Sequence, residues 1–412
     1  MIDIRLIRDR ADYVKSGVAA KGYPVELVDQ VTDLDKKRRD LLTRVESLRA
    51  ERNTLSRDQV ERGKQIKTEI KELEPQLEEL DKQLNDSLSA IPNLPLPTVP
   101  PGKGEGDNVE VRKWGTPREF DFTPKDHLEL GTSLKILDFE AGSKVAGSQF
   151  FFLYNDGVIL ELALIRFAID LLSKEGFTPV ITPDVAKSRF YLGTGYNPKG
   201  SEAQTYTIES EDLGLIATAE VTLAGKHADD ILPESALPIK YIGYSHCFRR
   251  EAGAYGKYSK GLYRVHQFTK AEMFIYCRPE DSEALHQHIL AMEEKIYQTL
   301  GLPYRVLEMC SGDLGAMAAQ KYDVEAWMPG RNDYGEVTST SNCTDYQARN
   351  LNIRFRRENG TIEYLHMLNG TALVSSRVPL AILENYQNAD GSVTVPQALI
   401  PYMGTDKILP KG

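Results

Sequence analysis

Cysteine is scarce in this chain of 412 residues: Cys247, Cys277, Cys310 and Cys343 lie far apart, with no Cys-x-x-Cys pair. That spacing argues against a disulfide framework and against a structural zinc site, so no zinc is expected. No apolar run approaches the roughly 18 residues that a membrane-spanning helix needs. The opening MIDIRLIRDRADYV is charged where a signal peptide would carry an apolar core. Cytoplasm is the expected compartment, with no membrane partner. Gly-x-Gly-x-x-Gly and Gly-x-x-x-x-Gly-Lys-Ser/Thr are both missing, so a bound nucleotide would use neither of those phosphate cradles. Basic charge is not in excess either: 50 Lys and Arg stand against 60 Asp and Glu, a net charge of −10. That excludes a surface coated in nucleic acid while leaving room for a local basic patch.

What is present is a globular composition, 41% hydrophobic and 27% charged. The length predicts two or three domains. Residues 1–26 form a short mixed lead-in. From Leu27 an apolar ladder steps by four and three through Val31, Leu34, Arg38, Leu41, Val45, Leu48 and Arg52 to Leu55. A second ladder runs through Ile66, Ile70, Leu73, Leu77, Leu80, Leu84 and Ser87 to Ile91. Steps averaging 3.5 keep one seam facing a partner helix. The polar stretch Ser56–Gln65, containing Gly63, is short, so the two helices must run antiparallel and pair with each other. At 1.5 Å per residue, arms of about 30 residues would reach roughly 45 Å. Pro75 removes a backbone donor and is expected to kink or divide the second helix. Arg57, Arg62, Lys64 and Lys67 at the tip, against Asp58 and Glu61, read either as a solvated charged end or as a phosphate-backbone contact.

The segment IPNLPLPTVPPGKGEGDN, 91–108, breaks all periodicity and marks a domain boundary. Two domains are expected, 1–100 with a helical arm over about 27–91, and 101–412. The second region alternates strand patterns around 214–221, 239–249, 262–277, 336–341 and 362–368 with helical ones around 160–175, 281–300 and 378–387. Strands that succeed one another without helices between them predict an antiparallel sheet in an α+β domain.

The richest segment is 248–274, FRREAGAYGKYSKGLYRVHQFTKAEMF. It reads as a hairpin around a loop containing Gly253, Gly256 and Gly261. Residues two apart in a strand share a face. Arg249 and Glu251 would therefore project together, as would Arg264, His266, Phe268, Lys270 and Glu272, opposite Val265, Gln267, Thr269, Ala271 and Met273. An arginine fork, an aromatic plate and a carboxylate on one surface suit a phosphate, a flat base and an ammonium. Half-exposed hairpins commonly carry charge outside and apolar residues inside, but Arg, Phe and Glu together beside a glycine-rich loop favour the binding surface.

Three further places stand out. Thr218 and Glu220 would share a strand face in LGLIATAEVTL, and a carboxylate there wants a cationic partner. In DYGEVTSTSN, Glu336, Thr338 and Thr340 would face one side, and Val337, Ser339 and Ser341 the other. Hydroxyls and a carboxylate beside phosphate suit magnesium. The stretch 366–387 reads as a strand, an Asn-Gly-Thr turn and an amphipathic helix with Arg377 near its start.

In this order the pieces resemble the class II aminoacyl-tRNA synthetases, and the whole chain is similar to the bacterial-type seryl-tRNA synthetases. GFTPVITP, ending at Pro183, is similar to motif 1, FRRE through the hairpin to motif 2, and SSRVPLAILENYQ to motif 3. Thr218-Ala219-Glu220, EAWMPG and SNCTDYQAR resemble markers of the seryl branch. The resemblance implies a serine–tRNA ligase with an antiparallel catalytic sheet flanked by helices and an N-terminal tRNA-binding arm. It implies ATP binding by Arg249, Arg250, Glu251, Phe268, Glu336, Val337, Thr338, Ser339 and Arg377, with Arg249 and Arg377 catalytic. Thr218, Ala219, Glu220, Arg249, Glu272 and Thr371 would bind L-serine, and Glu336 and Ser339 would hold Mg2+. Arg57, Arg62, Lys64 and Lys67 would bind tRNA. It further implies a homodimer through the region near Pro183, tRNA(Ser) as substrate, and tRNA(Sec) as a further candidate.

The chain departs from the family pattern at Tyr258, usually Asp, at Lys260, often Arg, and at Asn350, usually Arg. Its arm is shorter than is common, and Pro75 is unexpected. The short arm predicts weaker tRNA affinity without a change of amino acid. Two other readings stay open at this stage. A paralogue loading amino acids onto a carrier protein would dispense with the arm. An inert coiled-coil binding protein would not need Arg249, Phe268, Glu336 and Arg377.

Overall fold

The computed structural model describes residues 1–56, 58–196, 205–251 and 261–411. The chain divides into two units, Met1–Pro95 and Leu96–Gly412.

The first unit is helical. The lead-in is itself a helix, α1 (Ile4–Ala20), started by Asp3, whose side chain accepts the Arg5 N–H at 2.8 Å. The two ladders form α2 (Glu26–Thr54) and α3 (Val60–Ala90). Val31, Val45, Leu48, Ile66, Ile70, Leu84 and Ile91 are buried, and the other apolar ladder residues half-buried. Arg38 pairs with Asp81, Arg44 with Glu69 and Arg62 with Glu51, so numbers rise on one helix as they fall on the other. That is the antiparallel hairpin the ladders predict. Such exposed pairs add about 0–1 kcal/mol each and set register more than stability.

Two details differ from expectation. Only 55–59 separate α2 from α3, so Gly63 and Lys64 already lie inside the second helix. Pro75 does not divide α3, which runs unbroken across it. Pro75 is exposed, so its ring meets solvent, and the seam on either side holds the helix together despite one missing hydrogen bond.

The second unit is built on an eight-stranded sheet. Its strands are β1 (Val109–Trp114), β2 (Thr178–Ile181), β3 (Ile239–Phe248), β4 (Gln267–Cys277), β5 (Tyr304–Glu308), β6 (Gln320–Met328), β7 (Asp333–Asn342) and β8 (His366–Val374). Their order is β1-β5-β6-β7-β8-β4-β3-β2. All pair antiparallel except β2, which joins β3 in parallel. Helices α4 (His127–Ser133), α5 (Asp156–Lys174), α6 (Glu220–Gly225), α7 (Ser282–Leu300) and α8 (Arg377–Asn385) accompany it. Ala271, Met273 and Ile275 of β4 join residues of α5 and α7 in the main core. Phe274 and Tyr276, on the other face of β4, pack with Ala219 and Leu223 at α6. The site occupies what remains of that second face.

Several strand assignments shift. The return strand begins at Gln267, not Leu262; Gly261–Tyr263 is a single 3-10 turn. Asn369-Gly370-Thr371 is no turn but the middle of β8. Glycine is needed there because a Cβ on Gly370 would lie 2.3 Å from Ile289 of α7. The expected strand through Thr218–Glu220 is also absent. The chain pairs only at Gly214–Leu215, and Glu220 opens α6.

Candidate active site

β4 carries the centre of the site. Its pairing with β3 is regular from Gln267 to Tyr276, so Phe268, Lys270 and Glu272 share one face as the alternation predicts. Arg264 and His266 precede the strand, and Arg249 and Glu251 follow the end of β3 at Phe248. Their arrangement is therefore set by local contacts, not by alternation. The Arg249 N–H donates to the His266 carbonyl at 2.9 Å, and His266 Nδ1 donates back to the Arg249 carbonyl at 2.8 Å. Arg249 Nε reaches the Ala217 carbonyl at 3.4 Å, and its guanidinium carbon sits 5.3 Å from the Phe268 ring centre. Glu251, at a left-handed φ of +48°, accepts from Arg264 Nη1 at 3.1 Å. Arg250 is exposed and does not line this cleft. Gly253, Gly256, Tyr258 and Lys260 lie outside the described residues.

At one end of the cleft Arg377, the first residue of α8, holds Glu336 through Nη1 at 3.0 Å. Tyr263 underlies this guanidinium at 4.8 Å. Burial pushes the Glu336 carboxyl up, but Arg377, Lys321 and Arg249 outweigh it and hold the group well below the ordinary range. The expected faces of β7 do not survive. Glu336 pairs with Glu325 and Thr338 with Val324, leaving Val337 as an extra residue in a bulge. Beyond it Ser339 falls on the side of Glu336, opposite Asp323 across the β6–β7 pairing. Thr338 and Thr340 turn elsewhere, their hydroxyls donating to the carbonyls of Thr371 and Asn369. Val337 and Thr338 still line the cleft wall.

The other end is a carboxylate pocket. Glu272 pairs with Lys270 Nζ at 2.5 Å and accepts from Thr371 Oγ1 at 3.3 Å, directly across the β4–β8 pairing. Glu220 is 2% exposed and accepts from Gln347 Nε2 at 2.7 Å, Asn369 Nδ2 at 3.1 Å and Tyr196 at 3.2 Å. These are neutral donors, where a cationic partner was expected. Burial and then the nearby Glu272 raise the Glu220 carboxyl to about 7. Thr218 Oγ1 accepts the Glu220 N–H at 3.2 Å and so caps the turn into α6. Ala219 points its methyl toward Gly243 of the sheet, which leaves only its backbone for the pocket.

Lys270, Tyr263, Gln347 and Asn369 complete the site but were not singled out by sequence. For Lys270 a signal existed, since it stands between Phe268 and Glu272 on the binding face. Gln347 lies in the SNCTDYQAR marker and Asn369 in the expected Asn-Gly-Thr turn, but neither has a role there, because both reach the pocket from distant segments. In the helical unit, Arg62 is paired with Glu51 at 2.7 Å and Lys64 with Glu61 at 3.3 Å, so the tip is less basic than its composition suggests. Lys67 is exposed, and Arg57 lies outside the described residues.

Comparison with known proteins agrees with this geometry. Residues 205–386 match the tRNA synthetase class II core domain (G, H, P, S and T), and residues 1–58 match the seryl-tRNA synthetase N-terminal domain. A serine–tRNA ligase of Dictyoglomus turgidum is 53% identical over the whole of both chains. One from Treponema denticola is 50% identical over 99% of this chain and all of its own. A seryl-tRNA synthetase of Pyrococcus horikoshii, solved with ATP, superimposes with a TM-score of 0.95 at 42% identity, covering both chains entirely. The cytoplasmic serine–tRNA ligase of Naegleria fowleri, solved with AMP, gives 0.91 at 37%, covering all of this chain and 99% of its own. With both family regions matched in order, and full-length relatives sharing half its residues, the chain belongs to the seryl-tRNA synthetases, the serine–tRNA ligases of class II.

Proposed function

We propose that the cleft activates L-serine with ATP and passes the seryl group to the 3′ end of tRNA(Ser). One observation carries this reading: a single face of β4 presents the Phe268 plate under Arg249 and, two and four residues on, Lys270 and Glu272. Base, phosphate and amino acid would then lie side by side. Adenine stacks on Phe268, with Glu251 toward its amino group. Arg249 spans the α-phosphate and the serine carboxylate, and Arg377 takes the far phosphates. The pocket of Glu220, Glu272, Thr218 and Thr371 surrounds serine.

The serine carboxylate attacks the α-phosphorus as the bond to the bridging oxygen breaks, giving seryl-adenylate and pyrophosphate. A tRNA ribose hydroxyl then attacks the carbonyl carbon and AMP leaves. Activation asks little proton transfer of the protein. Its contribution is alignment and stabilisation of charge on the phosphates by Arg249 and Arg377. The hydrogen-bonding groups aimed at the serine hydroxyl would be left unpaired by alanine, which can cost about 10⁴-fold, whereas threonine adds one methyl and is the harder rival.

Among the described residues no three His, Cys, Asp or Glu side chains gather as a metal site. The bulge does bring Glu336 and Ser339 to one side, and an oxygen-only pair of that kind fits an Mg2+ that arrives with ATP. Glu336 and Ser339 would hold it, and when bound it would neutralise charge on the phosphates.

The protein surface supports a homodimer. Ile181 at the edge strand β2 is 81% exposed and Leu162 of α5 57% exposed. Ile181 lies in the segment resembling motif 1 and Leu162 on the helix that precedes it, and a second copy of the chain would cover them. The α2–α3 arm, with Arg62, Lys64 and Lys67 toward its tip, would meet tRNA(Ser), and tRNA(Sec) is a further candidate. A cytoplasmic enzyme of translation fits these partners.

Amino-acid-dependent ATP–pyrophosphate exchange, followed by charging of total tRNA, tests the proposal. Serine alone should support rapid exchange and should then appear on tRNA. Exchange without charging would point to a carrier protein as acceptor, and no exchange would point to an inert body.

A further inference from the structure

Leu262 donates its backbone N–H to His127 Nε2 at 3.2 Å in a buried contact. The other nitrogen of that ring, Nδ1, lies 2.9 Å from Glu384 Oε1. A ring nitrogen that accepts carries no proton, so the hydrogen is on Nδ1 and is donated to Glu384. Glu384, 2% exposed, also accepts the backbone N–H groups of His127 at 3.1 Å and Gly330 at 2.8 Å. One imidazole thus joins the start of α4, the C-terminal end of α8 and the turn Gly261–Tyr263. The fit is close. A Cβ on Gly261 would stand 2.1 Å from Nε2, and the φ of +67° at that residue favours glycine in any case.

That turn reaches the cleft. The Tyr263 carbonyl accepts from Arg377 Nε at 3.4 Å, and the Tyr263 ring lies 4.8 Å from the Arg377 guanidinium carbon. Arg377 in turn grips Glu336. We propose that His127 is a positioning residue for ATP. By accepting the Leu262 N–H it fixes the turn that carries Tyr263, and Tyr263 holds Arg377 in the orientation that meets the far phosphates. His127 touches no reacting atom itself. The inference rests on the assignment of Arg377 to those phosphates.

The competing view is that His127 only packs α4 against α8 through Glu384. Two substitutions separate them. In His127→Gln the side-chain oxygen reaches the place of Nε2 and can accept from Leu262. In His127→Asn the amide reaches only the place of Nδ1 and keeps the contact with Glu384. The positioning role predicts a KM for ATP within about threefold of the wild type for His127→Gln. For His127→Asn it predicts a rise of about tenfold, the scale of one lost hydrogen bond, with the KM for serine unchanged. Hydrogen–deuterium exchange should show the Leu262 amide about tenfold less protected in the Asn variant alone. Adding His127→Asn to Tyr263→Ala should raise the KM for ATP by clearly less than it does alone, because the ring contact with Arg377 is already gone and only the backbone carbonyl of residue 263 still holds it. Equal KM values and equal Leu262 protection in the two variants would overturn the proposal. So would additive losses in the double variant. An Arg377→Ala enzyme with an unchanged KM for ATP would instead refute the assignment on which it rests, even if the Leu262 amide behaved as expected.

Discussion

Glu220 and Glu272 enter the same pocket from different elements, one opening α6 and the other on β4, and their charges oppose each other. Glu272 is matched by Lys270 Nζ at 2.5 Å. Glu220 has amide and phenol donors instead, and its carboxyl rises to about 7. A pocket with one compensated and one uncompensated carboxyl suits a cationic guest, and in the proposed reading the ammonium of serine would supply that charge.

The affinity for serine should therefore depend on pH. If the ammonium binds only beside ionised Glu220, the KM for serine stays level above pH 7 and rises about tenfold per unit below it. Initial rates of pyrophosphate exchange across pH 5.5–8.5 measure this. A flat KM for serine over that range would exclude Glu220 as the ammonium's partner.

The same group affects stability with a definite sign. Its folded value, about 7, lies above the ordinary 4.5, so its contribution is fully present below pH 4.5 and is lost as pH rises through 7. A shift of that size corresponds to roughly 3 kcal/mol. Glu220→Gln should flatten the stability profile between pH 4.5 and 7, read from denaturant midpoints, while raising the KM for serine.

Arg249→Ala should reduce exchange at least about 10²-fold, the scale of removing a preorganised donor to transition-state charge. Phe268→Ala should act mainly on the KM for ATP. Unchanged exchange in the Arg249 variant would refute its role as the phosphate clamp.

Gly370→Ala should destabilise the second unit by about 1–3 kcal/mol, because the new methyl would meet Ile289 at 2.3 Å and Glu293 at 2.8 Å. A denaturant midpoint within error of the wild type would show that α7 can move away.

Ile181→Asp combined with Leu162→Asp should convert a dimer to monomers in sedimentation equilibrium. A wild-type protein that already sediments as a monomer would dispose of the dimer proposal.

Pro75→Ala should strengthen the arm, since proline in a helix interior costs about 3 kcal/mol relative to alanine. Circular dichroism of the melting arm reads the gain, and serine-dependent exchange should not change. Loss of exchange on this substitution would contradict the separation of arm and cleft functions.

Much of this was legible in local patterns. The 3.5-residue steps mark the arm because a seam needs little beyond spacing. The face of Phe268, Lys270 and Glu272 is legible because β4 is regularly paired there with β3. Alternation failed at β7, where the extra residue Val337 moves Ser339 to the side of Glu336. It failed again at Thr218–Glu220, where apolar neighbours looked like a strand but Thr218 caps a helical turn. Pro75 does not divide α3, because one missing hydrogen bond does not end a helix held along its seam.

The sequence alone determined the order of elements, the antiparallel arm, the binding face of β4 and the family, because each is written in spacing or in local motifs. Tertiary structure alone decided the charge states. Glu336 is held down because Arg377 comes to it from another element. Glu220 is pushed up because burial strips it of water and Glu272 of β4 adds a like charge, which the hydrogen bond from Gln347, 127 residues away, only partly offsets. Local spacing fixes which side chains share a face, but a carboxyl's ionisation depends on everything packed around it, and only the fold brings those groups together.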